Sequence, residues 1–244
     1  MSMTQSNPNS LRSPKTLRAW GVHLFTATGA VWGLMSIIAI MQHQWQAAFF
    51  WMGAAIVVDS VDGTLARRFE VKGMLPDFDG ALLDNIIDYL TYVLIPALFL
   101  YEAGLVPDAL ALVAAVVMIL TSAYQFCQTD AKTEDNFFKG FPSYWNIVVL
   151  YLFLLQTGPW LNLVVILSCA VLVFVPIKYI YPSRMSRFQK FTLLLTVIWA
   201  AIILTALWQH PTLSWLVWIS LLYIIYYVAI SLYLSRLPPG EQID

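Results

Sequence analysis

The chain has 244 residues, of which 60% are hydrophobic and only 11% are charged. A soluble globular domain carries charge at roughly a quarter of its positions, so this composition excludes a soluble enzyme, and no nucleic acid partner is expected. The formal net charge of −1 identifies no partner by itself. Long apolar runs are typical of membrane-spanning helices. We therefore predict an all-α, polytopic integral membrane protein surrounded by membrane lipids.

Eight apolar segments are predicted to be transmembrane helices. In chain order they are residues 20–41, 45–64, 81–101, 107–127, 143–157, 160–180, 190–208 and 213–234. The fifth is shorter than the roughly 17 residues that a spanning helix usually needs. An even number of spans would leave both ends of the chain on the same side of the membrane.

The basic residues are confined to one set of loops. All 13 lysines and arginines lie in or beside the N-terminal segment, residues 65–80, 128–142 and 181–189, and the C-terminal segment. Cytoplasmic loops carry the excess of basic residues, so both termini are predicted to be cytoplasmic. We expect residues 1–19 to be a cytoplasmic segment in which "PKTLRAW" forms an interfacial helix, 20–235 the transmembrane domain, and 236–244 a cytoplasmic tail.

Four aspartates interrupt the second and third apolar segments near their cytoplasmic ends. Asp59 and Asp62 are three residues apart, and Asp84 and Asp88 are four apart. Each pair shares one face of a helix, and a helical hairpin brings the two pairs to the same depth. Four carboxylates so close either have raised pKa values or hold a metal ion, and an all-oxygen site favours Mg²⁺ or Mn²⁺.

Small and basic residues accompany the acids. Gly63 and Gly80 lack side chains and leave room for a flat group beside the backbone. Arg67 follows Gly63 by one turn and offers a planar cation that suits phosphate. A solvated residue at a helix end explains one such acid, but not four in register with two glycines and an arginine. The pattern predicts a nucleotide or pyrophosphate site at the cytoplasmic membrane surface.

These residues resemble the signature of a known family, the CDP-alcohol phosphotransferases. The matching positions are Asp59-x-x-Asp62-Gly63-x-x-Ala66-Arg67 and Gly80-x-x-x-Asp84-x-x-x-Asp88. The gap between the two parts, residues 68–79, is 12 residues long, and in this respect the chain resembles the bacterial phosphatidylcholine synthase branch of the family. The resemblance implies a six-helix core within the eight predicted helices, and a bacterial inner membrane protein whose transmembrane domain is catalytic.

The resemblance also implies roles for individual residues. Asp59, Asp62 and Asp84 would bind two Mn²⁺ or Mg²⁺ ions with help from Asp88, and Asp88 would be the general base. Gly63, Ala66, Arg67 and Gly80 would hold the CDP moiety, with Arg67 on the diphosphate. The reaction implied moves a phosphatidyl or similar group from a CDP-linked donor, here CDP-diacylglycerol, to an alcohol and releases CMP.

The cytoplasmic loop "YQFCQTDAKTEDNFFKGFPSYWN", residues 124–146, bears on which alcohol is used. Choline carries a quaternary ammonium, which aromatic faces and a nearby acid bind well. The candidate choline-binding residues are Tyr124, Tyr144, Trp145 and Glu134, although an interfacial aromatic belt would have the same composition. Arg184 is the candidate for a lipid phosphate. His43 and His210 fall on the far side of the membrane, whereas the role of His23 is left open.

Two alternatives are kept. The chain could be a phosphatidylserine, phosphatidylinositol or phosphatidylglycerophosphate synthase, whose acceptors favour extra basic residues over aromatic ones. It could also be an ion-coupled transporter, although transporters often show inverted repeats and midplane sites, and neither is evident here. The sequence does not set the oligomeric state, and a homodimer is compatible with it.

Overall fold

The structure is a computed structural model that describes residues 13–133, 135–185, 187–212 and 214–237. The helices in this part of the chain are α1 (Pro14–Met41), α2 (Trp45–Arg68), α3 (Val71–Met74), α4 (Gly80–Asp88), α5 (Ile95–Glu102), α6 (Asp108–Cys127), α7 (Trp145–Leu155), α8 (Pro159–Phe174), α9 (Gln189–Trp208) and α10 (Ser214–Ser235). A π-helical segment, Tyr89–Leu94, joins α4 to α5, and two short strands are β1 (Phe137–Lys139) and β2 (Lys178–Ile180).

The prediction of a multi-pass, mainly helical membrane protein is confirmed. Within the described residues, six helical stretches are long and apolar enough to cross a membrane: α1, α2, the continuous stretch Gly80–Glu102, α6, α9 and α10. The apolar helices α7 and α8 have 11 and 16 residues and are only about 16 Å and 24 Å long, against about 30 Å for the hydrocarbon core. The predicted count of eight spans is therefore not confirmed, because the fifth and sixth segments form shorter helices.

The first helix begins earlier than predicted. Ser13 caps α1 by accepting a hydrogen bond from the backbone N–H of Thr16, and Pro14 occupies the first turn, as is common at helix starts. The segment "PKTLRAW" thus belongs to the continuous helix Pro14–Met41 and does not form a separate interfacial helix. The predicted cytoplasmic segment 1–19 and tail 236–244 lie mostly outside the described residues.

A small antiparallel sheet connects two loops that are distant in sequence. Phe138 of β1 pairs with Tyr179 of β2. The last helix holds the outer edge of β2, because the Ser231 hydroxyl accepts from the Ile180 N–H and the Tyr227 hydroxyl donates to the Ile180 carbonyl. Side chains thus satisfy the edge of a strand that would otherwise be unpaired. The sheet fixes the loops before α7 and before α9 against each other.

The buried core lies between the helices, and large apolar side chains also cover the outside. Completely buried side chains include Phe99, Met118 and Trp145. Leu17, Leu24 and Trp208 are at least 70% exposed, and such side chains are stable where the surroundings are lipid. Four aspartates, two in the second half of α2 and two in α4, lie among these apolar helices and mark the candidate site.

Candidate active site

Three of the four aspartates come together. One carboxylate oxygen from each of Asp59, Asp84 and Asp88 lies within 4.8 Å of the others, which is close enough for all three to bind one metal ion. Asp59 comes from the second half of α2, and Asp84 and Asp88 lie one turn apart in α4. The Tyr92 hydroxyl donates a 2.7 Å hydrogen bond to Oδ2 of Asp59 and fixes that carboxylate. The acids of the second and third predicted spans thus meet, and α1 packs against both α2 and α4.

Asp62 lies beside this group of three. Its side chain is only 6% exposed, and its hydrogen-bonding neighbours are the Thr26 hydroxyl from α1 and the backbone of Gly63. Asp62 is near enough to Asp59 and Asp84 to interact with both electrostatically. Asp62, also predicted to be a metal ligand, therefore adjoins this group without being one of its three mutually close carboxylates.

The backbone changes its winding immediately after Asp88. The π-helical segment Tyr89–Leu94 follows α4 directly, and π-helical turns inside helices are frequent at functional sites. The wider winding changes the helical phase after Asp88. As a result Tyr92 reaches Asp59, and the Tyr89 hydroxyl reaches the backbone carbonyl of Ile119 in α6. Nothing in the apolar sequence of this segment indicates the change.

Two cavities meet at the acids. The first, which we call the basic chamber, has a volume of about 760 Å³. Its walls include every residue predicted to hold the CDP moiety, namely Gly63, Ala66, Arg67 and Gly80, together with His23, Thr26, Asp62, Lys72, Asp84 and Arg184. Three cations from three separate segments line this cavity beside four aspartates, Asp62, Asp77, Asp79 and Asp84. A bound polyanion would therefore meet both the cations and any metal ion that the aspartates hold.

The second cavity, which we call the aromatic chamber, has a volume of about 350 Å³. Its walls include Asp59, Asp84, Asp88, Tyr92, Phe126, Lys132, Phe138, Tyr144 and Tyr181. Four of the rings form a chain of contacts: Tyr92 lies 5.9 Å from Tyr144, Tyr144 lies 6.0 Å from Phe138, and Phe138 lies 4.7 Å from Tyr181, between ring centroids. Asp84 and Ala81 line both chambers, so the acids form part of the wall between them.

The predicted choline-binding residues are only partly brought to this chamber. Tyr144 lines it, and Glu134 lies outside the described residues. Tyr124 is 50% exposed on the outer face of α6 beside Phe174, because the next residue, Gln125, is the one that faces inward. Trp145 is fully buried and donates a 2.7 Å hydrogen bond to Ser122. The structure therefore corrects the prediction for Tyr124 and Trp145.

Several lining residues were missed or not singled out. Tyr92 lies in an apolar segment with no local motif, and Tyr181 follows β2 at a long sequence distance from the acids. Phe126 and Phe138 belong to the aromatic loop that the sequence analysis described, but composition alone did not separate them from Tyr124. Tyr124 and Phe126 differ in the direction that each side chain takes around α6. That direction depends on how the helix is rotated against its neighbours.

Arg184 connects the two chambers. It lines the basic chamber, and its guanidinium lies 5.2 Å from the centroid of the Tyr181 ring, which lines the aromatic chamber. A guanidinium over an aromatic face is attracted by the ring quadrupole. The residue predicted to bind a lipid phosphate is thus held where the chambers meet.

Ion pairs hold the loop that carries Lys132 and Phe138. Lys139 donates to Asp130 and Lys178 donates to Asp135. The hydrogen bond from Lys139 keeps the pKa of Asp130 below its usual value. Partial burial of Asp135 opposes ionisation, but the hydrogen bond from Lys178 outweighs it, so the pKa of Asp135 is also lowered. Both pairs are partly exposed, so they contribute modestly to stability and mainly fix the loop conformation.

Comparison with known proteins identifies the family. The sequence model described as CDP-alcohol phosphatidyltransferase matches residues 23–175. The chain is 45% identical over 184 residues to a phosphatidylcholine synthase of Mesorhizobium japonicum, covering 75% of this chain and 69% of that one. It is 47% identical over 182 residues to one of Legionella pneumophila, covering 72% and 71%. It is 36% identical over 228 residues to one of Borreliella burgdorferi, covering 92% and 97%.

These matches confirm the resemblance seen in the motif and argue against an ion-coupled transporter. The matched region runs from His23 in α1 to Val175 after α8 and contains every residue of the signature. An enzyme of this class also accounts for a cluster of acids between a basic and an aromatic cavity at the ends of apolar helices. The chain belongs to the CDP-alcohol phosphatidyltransferase family.

Proposed function

We propose that this protein is a phosphatidylcholine synthase, which transfers the phosphatidyl group of CDP-diacylglycerol to choline and releases CMP. The observation that carries the proposal is the pair of chambers that share Asp84. One is lined by three cations beside carboxylates that suit a divalent cation, and the other by aromatic rings and acids. A CDP-linked donor is an anion and choline is a cation, so each chamber suits one substrate. The names of the relatives support the same activity.

The acids fit a divalent cation. Three carboxylates with oxygens within 4.8 Å of one another would repel strongly without a positive charge between them, and oxygen ligands favour Mg²⁺ or Mn²⁺. We assign Asp59, Asp84 and Asp88 to this role, and Asp62 as a further ligand on the side of the basic chamber. Two such ions, when bound, would polarise the donor phosphorus and stabilise the negative charge on departing CMP.

The basic chamber would hold the donor. Arg67 donates a 3.1 Å hydrogen bond to the Thr64 hydroxyl, and a side chain built on Gly63 would stand 3.6 Å from its guanidinium. Arg67 thus lies over the space that Gly63 leaves open, where it can contact the diphosphate. Lys72 and Arg184 add charge from two other segments, and Arg184 is placed to contact the phosphate of the phosphatidyl group.

The aromatic chamber would hold choline. Its quaternary ammonium cannot donate hydrogen bonds, and it binds best against the faces of aromatic rings near a negative charge. Tyr92, Phe126, Phe138, Tyr144 and Tyr181 offer those faces, and this set replaces Tyr124 and Trp145 in the proposal. The choline hydroxyl then points toward the acids at the shared wall.

Asp88 is the proposed general base. Asp88 lines the aromatic chamber, whereas Asp62 lines the basic chamber. As the choline oxygen bonds to the phosphorus of the phosphatidyl group, its proton passes to Asp88, and the bond from that phosphorus to the CMP oxygen breaks. CMP leaves with the bonding electron pair, and phosphatidylcholine remains. A positioned base contributes about 100-fold to 10,000-fold to such a step.

One observation favours a second candidate, phosphatidylserine synthesis. Lys132 lines the aromatic chamber, and its charge interacts with all four aspartates. A lysine at that place could pair with the carboxylate of serine. Lys132 is, however, exposed at the rim, whereas the aromatic rings form the wall. Choline therefore remains the acceptor that the chamber favours.

The membrane orientation is part of the proposal. Both chambers would open at the cytoplasmic face of a bacterial inner membrane, because the loops that line them carry the basic residues. Residues 20–235 would form the transmembrane catalytic domain between the cytoplasmic N-terminal segment 1–19 and tail 236–244. The proposal holds for a monomer or a homodimer, since all lining residues come from one chain.

A direct assay tests the activity. Purified protein in detergent with phospholipid is incubated with CDP-diacylglycerol, Mn²⁺ and labelled choline, and CMP and labelled lipid are measured. Serine, inositol and glycerol 3-phosphate are compared at equal concentration, and Asp84→Ala provides the inactive reference. Formation of labelled phosphatidylcholine with choline preferred supports the proposal. A preference for serine would assign the enzyme to phosphatidylserine synthesis instead.

A further inference from the structure

A histidine outside the family signature lies in the basic chamber. His23 is in α1, separated from the acids by at least 36 residues of sequence, and is only 7% exposed. Its ring lines the chamber together with Gly63, Ala66, Arg67 and Gly80. None of the steps described above uses it.

The His23 ring packs closely against Gly80, the first residue of α4. A side chain built on Gly80 would stand 2.4 Å from Cε1 of His23 and 3.1 Å from its Nδ1. The space that Gly80 leaves open is thus occupied by the imidazole itself. Phe78 packs on the ring with centroids 4.4 Å apart, and Trp20 lies 6.0 Å away. A ligand that approaches Gly80 would therefore meet the His23 ring.

One nitrogen of the His23 ring makes no hydrogen bond to any residue that the structure describes. Within the described part of the chain, the buried Nε2 of His23 has no hydrogen-bond partner. Such unpaired buried groups are uncommon, because burial removes water without supplying a replacement. A neutral imidazole has one donor nitrogen and one acceptor nitrogen. A nucleoside in the chamber would offer matching groups on both its base and its ribose.

A core histidine that only packs is the competing explanation. Packing accounts for the contacts with Phe78 and Gly80, and a phenylalanine at this position would make them equally well. It does not account for a polar ring with an unpaired nitrogen in the wall of a cavity that contains the CDP-binding signature. The two explanations therefore predict different effects on nucleotide binding when both ring nitrogens are removed.

We propose that His23 hydrogen-bonds the nucleoside of the CDP-linked donor and so contributes to donor specificity. The inference rests on the proposed function for the identity of the donor. The role is binding, with no part in proton transfer to or from choline. His23 and Asp88 thus belong to different chambers and act on different substrates.

The test compares three variants of the full-length protein. His23→Phe keeps a flat ring beside Gly80 but removes both nitrogens, and His23→Gln keeps a polar group without the ring. His43→Phe, at an exposed position two residues beyond the far end of α1, is the matched control. We measure KM for CDP-diacylglycerol, KM for choline, kcat, inhibition by CMP and Tm.

We expect His23→Phe to raise the donor KM and the inhibition constant of CMP by about threefold to tenfold, the usual worth of one hydrogen bond. Its kcat, choline KM and Tm should match the wild type, His23→Gln should recover part of the loss, and His43→Phe should change nothing. Comparing CMP with dCMP locates the contact. A loss that vanishes with dCMP assigns it to the 2′-hydroxyl, and a loss that persists assigns it to the base.

Unchanged CMP inhibition in a stable His23→Phe variant overturns the inference, even if the donor KM rises, because the contact would then not involve the nucleoside. Equal losses in His23→Phe and His23→Gln together with a lower Tm also overturn it and leave packing as the role. Failure of the proposed function is distinguishable, since the wild type would then make no phosphatidylcholine while CMP binding could still be compared directly.

Discussion

The contact between Gly80 and His23 allows a prediction with a magnitude. In Gly80→Ala the new Cβ would stand 2.4 Å from Cε1 of His23, whereas ordinary contact begins at 3.4 Å, so the ring has to retreat by about 1 Å. Trp20 and Phe78 pack on the other sides of the ring and resist this movement. Overpacking of this kind costs about 1–3 kcal/mol. If the cost falls on donor binding, kcat/KM for the donor drops by about fivefold to 150-fold.

The assay is CMP release with the donor varied, and two further variants make it specific. Gly73→Ala is the control, because a side chain at Gly73 meets no atom within 4 Å. His23→Ala removes the ring, so the double variant with Gly80→Ala should be no worse than His23→Ala alone. If the two losses multiply instead, Gly80 acts directly on the ligand, and the reasoning from its contact with His23 is refuted. Normal activity in Gly80→Ala would refute it as well.

The remaining predictions concern the acids and the orientation in the membrane. Asp84→Ala should abolish CMP release even at high Mn²⁺, because Asp84 lies between both chambers; appreciable turnover there would contradict its assignment as a ligand. Asp88→Asn should still bind donor at saturating Mn²⁺ while kcat falls about 100-fold to 10,000-fold, and near-normal kcat would remove it from the role of base. With both native cysteines replaced by serine, an impermeant thiol reagent added to intact cells should label Gln42→Cys but not Lys72→Cys. Labelling at Lys72→Cys would reverse the predicted orientation.

The acids could be found from the sequence because their signal is local. Spacings of three and four residues define a helical face without any tertiary information, and a hairpin of two neighbouring helices needs only a short connection. The structure brings Asp59 into one group with Asp84 and Asp88 as that reasoning requires. The exact partner of Asp62 could not be predicted, because Thr26 comes from α1 and the packing of α1 is not encoded in the spacing of the acids.

The residues of the aromatic chamber show where sequence reasoning stops. Tyr124 and Phe126 are two residues apart, but Tyr124 faces outward and Phe126 lines the chamber, since successive residues of α6 point about 100° apart. An aromatic-rich loop therefore predicts the kind of surface without identifying its members. Tyr92 required the π-helical segment, and Tyr181 required the pairing of β1 with β2. Each depends on geometry that hydrophobic periodicity does not record.

One short loop contributes a side chain to each chamber. Tyr181 and Arg184 lie three residues apart in one loop, but Tyr181 faces the aromatic chamber and Arg184 the basic chamber. The Arg184 guanidinium lies over the Tyr181 ring, so the two walls are in contact at this loop. The sheet with β1 ties this loop to Phe138, which contacts Tyr181 and lines the aromatic chamber. A donor phosphate bound by Arg184 would thereby steady the rings that hold the acceptor, and the acids at the shared wall would meet both substrates in a fixed geometry.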